Sequence, residues 1–402
     1  MESGAVMKNS PLLPIFLIVA VDVLGITIIL PLLPFYSESL GASPFVIGTI
    51  VSVYGLCQFI AGPILGKASD RFGRKPILMI SQLGTFAGFI LLALSRSLVL
   101  VFLARIIDGL TAGNISVAQA YISDNTEPKD RTRAFGIVGA SFGLGFLIGP
   151  AISGVLSKYG NQTPIWAAAG LSALSILATL TLLPNGVKPP QGARRNKGFL
   201  PFKDIKEFSR DPVVAQLLMQ FMAFSFAFSM FVSGLALFCA ARFHWRGHSF
   251  GAAEVGYVFT YSGAINLTVQ LFLMKVLAKK WGDAKIVMIG FLLMAIGYGA
   301  LSGVSSVSLL LFYLTFNNLG AAVLRPALTS QISQNVGREH QGTVLGVNQS
   351  LQSIAVIIAP LFSGLFIDRG YLGLWALACS GVAAIGFGLA LARPARASGA
   401  AV

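Results

Sequence analysis

The chain has 402 residues, 55% of them hydrophobic and only 11% charged, where a soluble protein carries about a quarter charged residues, so a soluble globular domain is excluded. Its net charge of +14 would suggest nucleic acid in a soluble protein, but the basic residues gather in alternate connections between apolar runs, and topology accounts for them better. Only α-helices and closed barrels satisfy every backbone group in hydrocarbon, and apolar runs of about 20 residues without strict alternation exclude the barrel.

A window of about 19 residues marks twelve expected spans, at 12–36, 44–65, 76–95, 97–122, 133–157, 163–183, 212–240, 252–274, 285–304, 306–332, 342–366 and 371–392. The first is too long for a signal-peptide core and has no A-x-A cleavage site, so it is expected to be retained. It carries Asp22 about ten residues from its inner edge, or ~15 Å at the helical rise. Span two carries Tyr54 and Gln58. Span four reads Arg105-Ile-Ile-Asp108-Gly109 and runs on through Asn114 and Gln119 to Asp124. Asp108 lies at a depth similar to that of Asp22. Charges so placed cost at least ~2.5–3.5 kcal/mol each when lipid-exposed, so they are expected to face a cavity or each other.

Span five contains Gly145-Phe-Leu-Ile-Gly149-Pro150-Ala-Ile-Ser153-Gly154. Small residues at this spacing let helices approach closely, and the proline leaves a carbonyl unpaired as a flex point. In the second half the polar residues within spans include Asn266, Asn317, Asn318 and Gln352. Some such residues hydrogen-bond between helices; these four, with Tyr54, Gln58, Asn114, Gln119 and Arg325, are the candidates for touching cargo. Arg325-Pro326 fits either an anion site or a side chain that snorkels inward. Cys57, Cys239 and Cys379 are far apart and show no metal spacing. His244 and His248 read as solvated loop residues. With no P-loop, G-x-S-x-G or H-E-x-x-H motif, no cofactor, metal site or enzymatic activity is expected.

Between spans two and three lies Gly66-Lys-Ala-Ser-Asp70-Arg71-Phe-Gly73-Arg74-Lys75, read as a charged loop whose two glycines set its turn. It resembles the G-x-x-x-D-R-x-G-R-K signature of major facilitator superfamily transporters. The span-five run resembles the G-x-x-x-G-P-x-x-G-G motif of that superfamily's antiporters, with Ser153 in place of a glycine. Arg105 to Gly109 resembles its R-x-x-Q-G motif, with Asp108 in place of a neutral residue. The segment from Asp22 to Phe35 is similar to the twelve-span drug–proton antiporters, tetracycline-efflux proteins included. The resemblance implies an all-α membrane protein of twelve transmembrane helices in two pseudo-symmetric six-helix bundles. It also implies that spans one and four line a central cavity, so that Asp22, Arg105 and Asp108 form one proton-coupling cluster. The alternative for that cluster is a static ion pair locking two helices. Gly66, Asp70, Arg71, Gly73, Arg74 and Lys75, paired with Asp124, would form an inner latch, with Gly149 and Pro150 as further gating positions. The second-half counterpart, Lys275 to Asp283, keeps glycine and cations but loses the Asp-Arg pair.

With both termini placed in the cytoplasm, twenty-two basic residues lie inside and five outside, which sets the expected orientation. Residues 185–211 form the one long polar connection, separating an expected first bundle at 1–184 from a second at 212–402; they read as a cytoplasmic linker whose basic face suits solvent or anionic lipid. Shifting the chain by 210 residues lays Asn125 on Asn335, Gly136 on Gly346, Pro150 on Pro360, Ser153 on Ser363 and Gly154 on Gly364. Such tandem halves place a binding site near the midplane. The expected function is proton-coupled efflux of a small lipophilic or drug-like organic compound by alternating access. The expected setting is a bacterial inner membrane, with the protein a monomer and cargo, protons and membrane lipids its partners. The rival reading is a symporter or facilitator for a metabolite such as an organic anion. A reading of another class is a non-transporting receptor or lipid scramblase on the same scaffold.

Overall fold

The computed structural model describes residues 12–125, 131–183, 208, 210–245, 247–336 and 341–392. The expected linker at 185–211 lies outside the described residues except for 208, 210 and 211, and so do both ends of the chain. The chain runs α1 (Leu12–Ser39), α2 (Pro44–Phe72), α3 (Arg74–Ala93), α4 (Leu98–Leu110), α5 (Asn114–Asn125), α6 (Arg131–Leu156) and α7 (Thr163–Leu182). It continues with α8 (Pro212–Arg242), a two-residue hairpin β1 (His244–Trp245) and β2 (His248–Ser249), α9 (Ala252–Thr268), α10 (Met274–Ala300), α11 (Val307–Gln334), α12 (Gln341–Asp368) and α13 (Leu372–Leu391). Among the described residues, eleven helices are long and apolar enough to cross a membrane. The remaining expected span, 252–274, is α9, 17 residues long, extended by a π-helical turn at Val269–Leu273. The fold is the all-α membrane architecture expected.

Helix ends follow local chemistry. Ser43 accepts a hydrogen bond from Val46 N ahead of Pro44, whose ring suits a first helical turn. Asp211 Oδ1 accepts from Val213 N at 2.8 Å, capping the start of α8.

Three features depart from the sequence reading. The charged segment Gly66–Lys75 is not a loop: α2 runs on to Phe72, Gly73 alone makes the turn at φ 100°, and α3 begins at Arg74. Gly66 lies within the helix, where a built Cβ meets nothing within 4 Å. Span four is broken at Thr111–Gly113, where the Thr111 hydroxyl donates back to Ile107 O at 2.8 Å. Close packing explains the glycine just before the break and the one that ends it. A Cβ on Gly109 would fall 2.8 Å from Tyr54 O, and one on Gly113 would fall 2.7 Å from Leu65 Cδ1. Finally, α10 kinks at Gly282, with φ 71°.

Two compact units emerge: Met1–Lys197 with Cys239–Gly263, and Gly198–Phe238 with Ala264–Val402. In the first, apolar residues form two clusters. One holds Ile28, Leu32, Ile50, Phe89, Val101, Ala104, Ile165 and Ala168; the other holds Ile15, Ile18, Val23, Leu78, Val117, Ala118 and Leu183. Where these clusters meet, buried polar side chains lie on α1 (Asp22, Thr27), α3 (Gln82, Thr85), α4–α5 (Arg105, Asp108, Asn114) and α7 (Ser172, Ser175). In the second unit, Trp375 lies flush on Gly234, where a Cβ would fall 2.5 Å from its Nε1. Its indole N–H donates to Ser363 Oγ at 3.2 Å, and Phe231 and Phe238 pack against its ring.

Candidate functional site

The polar layer of the first unit gathers six elements. Asp22 (α1) is 6% exposed, Asp108 (α4) 2%, Arg105 (α4) 6% and Asn114 (α5) 8%. Arg105 Nη1 lies 3.2 Å from Asp108 Oδ2, one turn along the same helix. The guanidinium carbon is 5.7 Å from the centre of the Tyr54 ring and 5.8 Å from that of Phe89, positions in which a ring face attracts a cation. Thr85 lies within reach of the Asp108 carboxylate. Asp22 is met by Ser175, Gln82 and Asn114 and lies within electrostatic reach of Asp108. Gln82 Nε2 donates to Ser175 Oγ at 2.7 Å, tying α3 to α7 behind the carboxylate.

Asp108 reaches this depth because α3 yields space. A Cβ on Gly88 would fall 2.9 Å from Asp108 Cβ and 3.1 Å from Ala104 O. Hydrogen bonding in the layer is incomplete. Asp22 Oδ2, Gln82 Oε1, Asn114 Oδ1, and Nε and Nη2 of Arg105 are buried without a hydrogen-bond partner among the described residues. Buried polar atoms left this way are costly, which sets this layer apart from the apolar clusters on either side of it.

Asp22, Arg105 and Asp108 are thus brought together, with Asn114 and Tyr54 beside them. Gln82, Thr85 and Ser175 belong to the same layer and escaped the sequence reading. Their signal was faint: Gln82 is the lone amide of its apolar run, and Ser172, Ser175 and Thr179 share one helical face of α7.

The seam between α1 and α6 adjoins this layer. The Thr27 hydroxyl lies 2.9 Å from both Gly145 O on α6 and Val23 O on its own helix, so its one proton is shared between them. A Cβ on Gly149 would collide with the Thr27 hydroxyl and fall 3.0 Å from its carbonyl carbon. Pro150, which cannot donate, leaves the carbonyl of Phe146 free within α6. That oxygen faces Gly263 of α9 so closely that a Cβ there would overlap it. The carbonyl of Pro150 itself lies 2.7 Å from a Cβ built on Gly256.

At the opposite end of α2 and α3, Arg74 is the hub. It pairs with Asp70 Oδ1 at 2.5 Å and Asp124 Oδ2 at 2.8 Å, and its Nη1 donates to Ser69 Oγ at 2.6 Å. Arg71 and Lys75 do not join it. Arg71 lies 5.2 Å over the Phe72 ring. Lys75 donates to Leu183 O at 2.6 Å and Leu180 O at 3.1 Å, where a cation suits the last carbonyls of α7.

Of the remaining candidates, Gln58 lies 3.5 Å from the Tyr54 hydroxyl, and Gln119 is exposed on α5. In the second unit, Asn266 meets Gln270 at 3.5 Å beside the π-helical turn. Asn317 is fully buried with both amide atoms unpaired among the described residues, and Asn318 next to it is 8% exposed. Arg325 Nη2 donates to Gln352 Oε1 at 2.7 Å.

A family model described as Major Facilitator Superfamily matches residues 15–360 and 246–401. The tetracycline resistance protein, class H, of Pasteurella multocida is 32% identical over 368 residues, covering 88% of each chain. Multidrug resistance protein 2 of Bacillus subtilis (strain 168) is 27% identical over 350 residues, covering 86% of each. The solved structure of the nucleoside transporter NupG shares the fold with a TM-score of 0.78 at 14% identity, over 95% of this chain and 98% of that one. The chain therefore belongs to the major facilitator superfamily: it is a multi-pass membrane transporter with tetracycline- and multidrug-resistance proteins among its relatives, not an enzyme.

Proposed function

We propose that the protein exports a small lipophilic or drug-like compound in exchange for protons, by alternating access of its two halves, 1–184 and 212–402, in a bacterial inner membrane with both termini cytoplasmic. The observation that carries this reading is the unbalanced layer around Asp22. Two carboxyl groups share that layer with one guanidinium, and Arg105 lies against Asp108. Fully ionised, the layer holds a net charge of −1 in a medium where uncompensated charge is costly. One proton on Asp22, whose Oδ2 has no partner among the described residues, restores neutrality.

Asp22 adjoins Val23, which packs on Gly145, and lies a helical turn and a half from Thr27, which packs on Gly149. Movement along that seam would shift the carboxyl relative to Asn114 and Gln82, so that protonation and helix position are coupled. Tyr54, Gln58, Asn114 and Gln119, with Asn266, Asn317, Asn318, Arg325 and Gln352, are the proposed cargo contacts. The hub at Arg74 is the proposed inner latch. Tetracyclines belong in the first panel of compounds because relatives carry that name.

The test is proton release on cargo binding in detergent, followed by a pH dye with tetracycline and other lipophilic drugs. Release of about one proton per chain, lost in Asp22→Asn while drug binding persists, is the expected result. Release unchanged in Asp22→Asn would remove Asp22 from the coupling role.

A further inference from the structure

We propose that the first unit carries a second ligand site, at its end farthest from the Gly73 turn, for an amphiphilic monoanion whose charged head rests on Arg96. A cavity of about 500 Å³ opens there where the end of α1, the connection from α3 to α4 and the start of α7 converge. Its inner wall is Tyr36, 3% exposed, whose hydroxyl donates to Ser95 O at 2.7 Å with Leu92 O as a second acceptor at 3.0 Å. None of its lining residues belongs to the Asp22 layer.

The lining chemistry selects the ligand. Arg96 is the one charged residue in it, and no acid lines the cavity. Arg96 is exposed and makes no ion pair among the described residues; Glu38, next to the lining residue Ser39, does not engage it. The side-chain amides of Asn161 and Gln162 supply neutral donors beside that cation. Tyr159 is 78% exposed and Trp166 44% exposed, so the same cavity offers two aromatic faces to an apolar body. A guanidinium suits a phosphate or carboxylate head, and the aromatic walls disfavour a fully hydrated inorganic ion. An anionic phospholipid of the facing leaflet and a soluble aryl carboxylate share this chemistry.

The two sources separate in one experiment on the full chain in nanodiscs, reading Trp166 emission as the difference between the parent protein and Trp166→Phe. In the first arm, acyl-brominated phosphatidylglycerol is compared with equally brominated phosphatidylcholine. Stronger quenching by phosphatidylglycerol, with apparent affinity weakened about fivefold in Arg96→Gln, supports the site with lipid as its occupant. In the second arm, 1-naphthoate is titrated into unbrominated phosphatidylcholine discs. A saturable change in Trp166 emission, weakened by the same substitution, supports the site with a soluble occupant. Equal quenching by both lipids, together with a naphthoate response that is absent or indifferent to Arg96→Gln, would reduce Tyr159 and Trp166 to interfacial aromatic anchors and overturn the proposal. Arg96 is solvent-exposed, so the substitution leaves the packed interior of the fold alone.

Discussion

Arg105 is held by one carboxylate and two ring faces, with two of its nitrogens unpaired among the described residues. Removing the cation strands Asp108 in a buried site, and breaking such a pair from one side costs about 3–5 kcal/mol. Arg105→Gln is therefore expected to lower the thermal unfolding temperature of the detergent-solubilised protein substantially. Adding Asp108→Asn should recover part of that loss, because the stranded charge is gone. Costs that simply add would show that the two groups do not act as a pair. Asp22, Arg105 and Asp108 were legible in the sequence because a charge inside an apolar run is expensive and so rarely idle. Gln82, Thr85 and Ser175 were not, because hydroxyls and amides within spans commonly bond to their own helix or a neighbour. Only the packing of α3 and α7 around Asp22 singles them out.

At the scale of elements, the charged segment where α2 meets α3 behaves as a helix–glycine–helix joint whose hub is Arg74. Arg74 contacts Asp70, Asp124 and Ser69, whereas Arg71 contacts the exposed ring of Phe72. Arg74→Ala should thus lower transport by about tenfold, the loss of two ion pairs and a charge-assisted hydrogen bond. Arg71→Ala should stay within about twofold. Initial rates in everted vesicles distinguish these outcomes, and equal losses would contradict the assignment of the hub. The glycines make a sharper contrast. Gly149→Ala forces a methyl group into Thr27 and should cost about 1–3 kcal/mol by overpacking. In Gly170→Ala, on α7, the new methyl meets nothing within 4 Å, so the change is neutral or stabilising by up to about 1 kcal/mol. Unfolding of the two purified variants compares them directly. Apolar length placed the spans, most of their ends falling within a few residues of the helix ends, because the thickness of the hydrocarbon core imposes it. The break at Thr111–Gly113 and the helical course of Gly66–Phe72 were not legible, since each depends on what a neighbouring helix presses against.

At the scale of the whole molecule, orientation rests on where lysine and arginine fall, a property of the sequence alone. It predicts that Asn161→Cys is labelled by an impermeant maleimide in intact cells and Lys67→Cys only in inverted vesicles; the reverse pattern would invert the topology. The fold was legible because a twelve-span pattern with an internal repeat leaves few architectures. The cargo was not, because one fold serves many substrates and the candidate contacts are amides, hydroxyls and aromatics that suit many ligands. In the proposed function, Asp22 couples cargo movement to protons. The measurement that tests it most directly is drug transport in proteoliposomes with and without an imposed pH gradient, comparing the parent protein with Asp22→Asn. That role requires gradient-driven accumulation by the parent protein, and for Asp22→Asn the loss of that accumulation with downhill counterflow of the same drug preserved. Accumulation that survives Asp22→Asn, or drug movement indifferent to the gradient in the parent protein, would contradict it.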